Sequence, residues 1–288
     1  MKRSDWIIAV LIILCAVLMF NVLKKQQGLA ISRSQNNTIG IVKIEGTILN
    51  NEPILEDLDE IASIRDLKAL ILHINSPGGG AAASQELYYA VKRIKQKYGY
   101  PIVAVLTSVG ASGGYYVAQA ADSIYALPGT LTGSIGVIMD FPQWLEMMEK
   151  IGVNVEVVKS GKYKDTGSPY REFTQEDRQY YQQLVNDVYD QFIMAVSESR
   201  ELDINEVKTL ADGRIFTGRQ AYKLGLIDHL GTEQDAIEAL TRQLELKDTP
   251  AIVRPKKDKL SLYRIIFGDV SRWVGSILPT PTPQMIYK

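Results

Sequence analysis

Histidine and cysteine are nearly missing from this chain, with two of the first and one of the second among 288 residues. The single thiol, Cys15, lies inside an apolar run, so the remainder of the chain can form no disulfide and offers no cysteine to a metal. Of the two histidines, His73 falls within the apolar stretch KALILHI at 68–74, where a satisfied core histidine is expected, and His229 follows Ile227-Asp228. Histidine-based catalysis therefore has few places to live. Low-complexity sequence is confined to Pro-Thr-Pro-Thr-Pro at 279–283, and no internal repeat is visible. Neither sign of charge dominates: 32 Lys and Arg stand against 33 Asp and Glu, so nothing calls for a nucleic-acid partner.

Long apolar runs are equally scarce, with one exception. Trp6 to Leu23 is uninterrupted except for Asn21, and at about 1.5 Å per residue a helix of that length just spans a bilayer core. A cleavable signal peptide is the competing reading, because Lys2 and Arg3 precede the run and Gly28-Leu29-Ala30 has small residues suited to cleavage. The run exceeds a usual h-region of roughly 7–15 residues, which favours an uncleaved anchor stopped by Lys24 and Lys25. Basic residues flank both ends, so the positive-inside rule does not orient it. Charge is uneven elsewhere: residues 251–288 carry seven Lys and Arg against two Asp, which suits contact with anionic lipid as well as a solvated tail. The expected organisation is a stub, anchor and linker at 1–30, a catalytic domain at 31–250 and a basic amphipathic tail at 251–288.

From residue 38 onward, β-branched runs alternate with helical patterns, the mark of an α/β fold with a mostly parallel sheet and crossover helices. Strands are expected at 39–44, 68–74, 102–106, 123–127, 135–139 and 153–158. Helical faces are expected on Ile54, Leu55, Leu58, Ile61 and Ala62, and on Leu87, Ala90, Val91 and Ile94. A long helix should start at Thr174, whose hydroxyl can cap it, with Glu176 and Asp177 in its first turn and a stripe from Leu184 to Val196. Leu260 to Leu278 reads as one more amphipathic helix.

Two glycine-rich turns carry the chemistry. Gly110-Ala111-Ser112-Gly113-Gly114-Tyr115-Tyr116 follows the strand at 102–106 and leads into a helix. A serine there is either an ordinary N-cap or a nucleophile with the Gly113 amide placed to donate to an oxyanion. Asn75-Ser76-Pro77-Gly78-Gly79-Gly80 also joins a strand to a helix, so its free amides face the same carboxyl-end edge of the sheet, where ligands bind in open α/β sheets. No Gly-Lys-Ser/Thr follows, which argues against phosphate. With histidine scarce, the base could be a lysine whose pKa falls from about 10.4 toward neutrality. The loop at 159–169 offers Lys162 and Lys164, and composition cannot choose between them.

NSPGGG at 75–80, ASGGYY at 111–116, LTGSIGVIM at 131–139, SGKYKD at 160–165 and ADGRIFTGRQA at 211–221 together resemble the bacterial signal peptide peptidase A family of Ser-Lys peptidases. The resemblance runs over roughly residues 38–245. It implies Ser112 as nucleophile, Lys164 as general base, Ser134 as the serine that orients the lysine, and the Gly79 and Gly113 amides as oxyanion donors. It further implies a Clp protease/crotonase-like fold, a homo-oligomeric ring or dome with an octamer among its forms, and neither cofactor nor metal. Substrates would be released signal peptides and other hydrophobic membrane-associated peptides, at the bacterial inner membrane with the catalytic domain outside the cytoplasm.

Two rival readings stand beside it. Gly110-Ala111-Ser112-Gly113-Gly114 also fits G-x-S-x-G, the nucleophile elbow of α/β-hydrolases, with His229 as the triad histidine of an esterase. Alternatively, the glycine turns could hold a thioester in a crotonase-like acyl-CoA-binding or noncatalytic protein.

Overall fold

The computed structural model describes residues 37–256 and 284–286. The apolar run at 6–23 and the amphipathic segment at 260–278 lie outside the described residues. Among the described residues no helix is long and apolar enough to cross a membrane.

The chain alternates strand and helix as its apolar periodicity requires. β1 (Thr38–Glu45) leads to α1 (Glu52–Ala62), β2 (Leu67–Ser76), the short β3 (Gly78–Gly80) and α2 (Ala81–Tyr98). β4 (Ile102–Ala111), α3 (Gly113–Ala118), β5 (Ser123–Ala126) and β6 (Leu131–Gly133) follow, then α4 (Leu145–Lys150) and a 3-10 turn at Lys162–Asp165. The last part holds α5 (Gln175–Arg200), α6 (Ile204–Leu210), β7 (Ile215–Thr217), α7 (Gly218–Lys223), β8 (His229–Leu230), α8 (Glu233–Gln243), β9 (Ala251–Val253) and β10 (Gln284–Ile286).

Strands β7-β6-β4-β2-β1-β9 lie in that order, with β5 attached to β4 and β8 to β5. Every pairing in this sheet is parallel except β6 with β7. β4 divides its edge between two neighbours, Val103–Leu106 pairing with β5 and Val109–Ala111 with β6. That division carries the end of β4 beyond β5 and frees the following residue to turn. Alternate residues feed two cores. Val42, Leu70, Leu72, Ala104 and Leu106 join the larger one beneath α1, α2, α3 and α5, whereas Ile39, Ile41, Ile71, Val103 and Val105 pack with Ala236 and Leu240 of α8.

Two expected strands do not form. At 135–139 the sheet has already ended with β6, because Ser134 takes φ +49° and turns the chain away. Residues 153–158 alternate valine with polar residues as a strand would, yet no strand among the described residues pairs with them. Val153, Val155 and Val157 are each more than two-fifths exposed. β9 also places residues 251–253, expected at the start of the tail, on the edge of the main sheet beside β1.

α5 starts as its sequence dictates. The Thr174 hydroxyl accepts from the Asp177 N–H at 3.1 Å, and the Asp177 carboxylate accepts from the Thr174 N–H at 3.0 Å, a reciprocal cap. Asp177 also holds Arg171 at 2.5 and 2.9 Å, and Arg171 reaches Asp165 at 3.3 Å. Hydrogen bonding from Arg171 first, then from Thr174, drives the Asp177 carboxyl well below the usual carboxylate range. A depressed carboxyl stabilises the fold above its unfolded pKa and loses that contribution as pH falls through the folded value. Asp177→Ala is expected to lower unfolding free energy by about 2 kcal/mol at neutral pH, Thr174→Ala by about 1 kcal/mol, in urea denaturation. Equal losses in the two variants would show that the Arg171 contact contributes nothing.

Candidate active site

Ser112 is pinned on both sides of an unfavourable backbone conformation. Its N–H donates to the Gly133 carbonyl of β6 at 2.8 Å, and its own carbonyl accepts from the Tyr116 N–H at 2.8 Å in the first turn of α3. Between these bonds the residue adopts φ 50°, ψ −119°. Such a conformation costs an L-residue about 1–3 kcal/mol, so the surroundings impose it. The side chain is 1% exposed and its Oγ has no hydrogen-bond partner. A buried hydroxyl left unpaired and held in strain is the form of a group kept for reaction rather than for stability.

The other glycine turn meets Ser112 from the side. Ile48 bridges to β3, its N–H donating to Gly78 O at 2.9 Å and its carbonyl accepting from Gly80 N–H at 2.8 Å. Backbone groups alternate along a strand, so the N–H and C=O of Gly79 face the opposite edge. No other residue fits there, since a Cβ on Gly79 would lie 2.1 Å from Ile48 O. Gly114 is required for a similar reason: its Cβ would come within 2.8 Å of Ser76 O, so glycine lets the start of α3 settle on the β2–β3 turn. Gly113 is the first residue of α3, and its N–H lies outside the helical ladder. The Gly113 amide thus stands unengaged next to Ser112, whereas the Gly79 groups face β10, where Met285 lies opposite.

Ser134 follows the glycine whose carbonyl holds Ser112. It is 7% exposed, and its N–H donates to Arg214 O at 2.9 Å. Ser112 and Ser134 are both non-glycine residues with positive φ, at the ends of the paired strands β4 and β6.

The lysines separate clearly. Lys162 Nζ lies 2.6 Å from Glu176 Oε1, and that hydrogen bond raises its pKa above the ordinary lysine value. A lysine so paired is held in its charged form and makes a poor base. Lys164, two residues on, is exposed on the 3-10 turn and its amine makes no hydrogen bond or ion pair among the described residues. Nor does it bond Ser112, whose hydroxyl is unpartnered. Within one chain Ser112, Gly113 and Ser134 are joined through the ends of β4 and β6, and Lys164 makes no bond to Ser112.

The model of peptidase family S49 matches residues 94–247, more than half of the chain. This chain belongs to that family. It is 42% identical over 225 residues to a protein of Methanocaldococcus jannaschii named as a protease, covering 71% of that protein. It is 37% identical over 227 residues to a protein of Enterococcus faecium named as signal peptide peptidase SppA, covering 63% of it. Similarity to the chloroplastic serine protease SPPA of Arabidopsis thaliana is 32% over 240 residues, covering 35% of that longer chain. Its chemistry is accordingly that of a serine peptidase.

Other S49 motifs in this chain act as supports that spacing alone did not reveal. ADGRIFTGRQA pins the Ser134 turn from behind: Gly213 N–H donates to Ile135 O at 3.1 Å, β7 pairs with β6, and Gly218 lies where a Cβ would meet Leu127 O at 2.1 Å. Tyr115 of α3 is fully buried and donates to Leu226 O at 2.6 Å, and burial pushes its hydroxyl pKa far up. Asp165, beside Lys164, is held at 2.6 Å by Lys159 and also by Arg171. Neither histidine bonds Ser112, whose hydroxyl is unpartnered. His73 Nδ1 lies 2.5 Å from Glu233 Oε2, and exposed His229 sits in β8 with its ring 4.4 Å from that of Tyr125.

Strain at Ser112 gives a direct expectation. Ser112→Gly relieves the φ penalty but loosens the unfolded chain, so it should raise unfolding free energy by about 1 kcal/mol net. Ser112→Ala, still strained, should not. Calorimetric midpoints of the two variants check this, and a lower midpoint for Ser112→Gly would refute the strain.

Proposed function

We propose that this serine peptidase is a membrane-anchored endopeptidase that cleaves hydrophobic peptides, released signal peptides among them, using Ser112 and Lys164. One observation carries the reading: a strained, buried, unpartnered serine hydroxyl followed directly by the unengaged Gly113 amide at the start of α3. Neutral Lys164 removes the Ser112 proton as Oγ attacks the scissile carbonyl. The Gly79 and Gly113 amides hold the resulting oxyanion, and the lysine returns its proton to the leaving amine. Water then hydrolyses the acyl-enzyme. Ser134 accepts or donates at the lysine amine and fixes its direction. The name of the Enterococcus relative supports the substrate class, and the apolar run at 6–23 supports an anchor that keeps the domain beside lipid, outside the cytoplasm.

A homo-oligomer supplies what one chain lacks. Val153, Val155 and Val157 form an exposed strand-like stripe without a partner strand, and unpaired apolar edges of this kind are covered in stable assemblies. Lys164 is exposed just beyond that stripe, so the base serving one Ser112 comes from a neighbouring copy.

Hydrolysis of a hydrophobic fluorogenic peptide tests the pair. Ser112→Ala should abolish activity and Lys164→Ala should lower kcat by about 10²–10⁴-fold, while Lys162→Ala and His229→Ala retain it. Loss in His229→Ala with an active Lys164→Ala would replace this mechanism by a histidine triad. Mixing inactive Ser112→Ala with inactive Lys164→Ala and allowing exchange should restore activity. No recovery in exchanged mixtures would place both residues in one chain.

A further inference from the structure

Ser76 closes β2 and stands between the two glycine turns. It is fully buried, and it pairs with Gly110 of β4 just beyond an irregularity in the β2–β4 ladder. Its carbonyl oxygen and Cβ lie 2.8 and 3.3 Å from where a Cβ on Gly114 would be, so α3 rests directly on it. On the other side its Oγ accepts from the Gly78 N–H at 3.1 Å, across Pro77, an i to i+2 bond that bends the chain out of the strand. One residue thus touches both the turn before α2 and the turn before α3.

The bond to Gly78 governs the direction of the next amide. Gly78 takes φ +100°, which glycine reaches without the steric cost that a side chain would bring. Its N–H goes to Ser76 Oγ and its carbonyl accepts from the Ile48 N–H at 2.9 Å, so both peptide planes that meet at its Cα are fastened. The second plane carries the Gly79 N–H, which in a trans peptide points away from the Gly78 carbonyl and hence away from Ile48. With glycine at 78, 79 and 80, no side chain restrains this stretch, and the two bonds do so instead. Without the Ser76 acceptor, the N–H of buried Gly78 loses its partner and the first plane is released.

We infer that Ser76 is a positioning residue for the oxyanion site, its hydroxyl aiming the Gly79 amide through Gly78. The inference rests on the proposed role of Ser112 and Gly79. The contact with Gly114 keeps Ser76 in place, so its Oγ is a fixed acceptor rather than a rotating one. An oxyanion donor acts on charge that develops only in the transition state. A misaimed donor therefore lowers kcat and leaves ground-state binding of the peptide alone.

Two substitutions in the full chain separate the hydrogen bond from the space the side chain fills. Ser76→Ala deletes the acceptor, and Ser76→Cys fills the space with a poor one. Both should lower kcat for the fluorogenic peptide by about 10–100-fold and leave KM within about twofold of wild type. Should Ser76→Ala fail to fold, judged by its thermal midpoint, Ser76→Cys carries the same comparison. A second readout needs no turnover. A peptide boronic acid, which forms a tetrahedral anion on Ser112, should bind either variant about 10–100-fold more weakly in calorimetry, while the carboxamide of the same peptide binds variant and wild type alike. Equal kcat and equal boronate affinity in the variants and wild type would overturn the inference and leave the Ser112 reading standing. A loss shared equally by boronate and carboxamide would overturn it too, because a merely structural role predicts that result. Undiminished hydrolysis in Ser112→Ala would remove the Ser112 reading, and this inference with it.

Discussion

The hydrogen bond from Ser112 N–H to Gly133 O is the contact on which the site depends. It ties the end of β4 to the end of β6 at the point where both strands leave the sheet, and it forces Ser112 into a conformation that an L-residue avoids. Everything nearby supports that bond. Gly114 lets α3 approach Ser76, Tyr115 anchors α3 to Leu226, and Arg214 O holds the Ser134 N–H so that Gly133 cannot drift. The two serines are thus set by one pair of strand ends rather than by two independent loops.

Much of this was legible in the residues, because the relevant information is local. Alternation of β-branched residues located β1, β2, β4 and β5, and Thr174 with Asp177 located the start of α5 through a cap confined to four residues. The glycine turns were legible as well, since a close backbone approach leaves glycine as its trace. What failed was long-range or cooperative. Residues 135–139 have the composition of a strand, but the strand ends earlier because Ser134 must turn, and nothing local to IGVIM says so. Residues 153–158 have a strand's pattern with no strand to pair with among the described residues.

The choice between Lys162 and Lys164 was closed to composition for a related reason. Both are loop lysines two residues apart, and they differ only in that Glu176, on α5, reaches one of them. The carboxylate that commits Lys162 is fourteen positions away in sequence, and no pattern rule connects the two. Resemblance named Lys164, and the geometry supplies a physical reason why its neighbour is unsuited.

One consequence follows from the Arg171 contacts. Because Arg171 grips both Asp165 and Asp177, the turn that carries Lys164 is attached to the N-terminus of α5 and travels with it. The buried end of that helix, at Phe192, Ile193 and Val196, lies some eighteen residues away, about 27 Å along the axis. α5 is therefore a lever whose fulcrum is in the core. A tilt of only about 2° at the fulcrum moves the far end by about 1 Å, enough to cost a catalytic group on the order of 10²-fold in rate. Under the proposed mechanism, repacking a phenylalanine in the hydrophobic interior would then register as a defect in proton transfer, with no substitution anywhere near the reacting atoms.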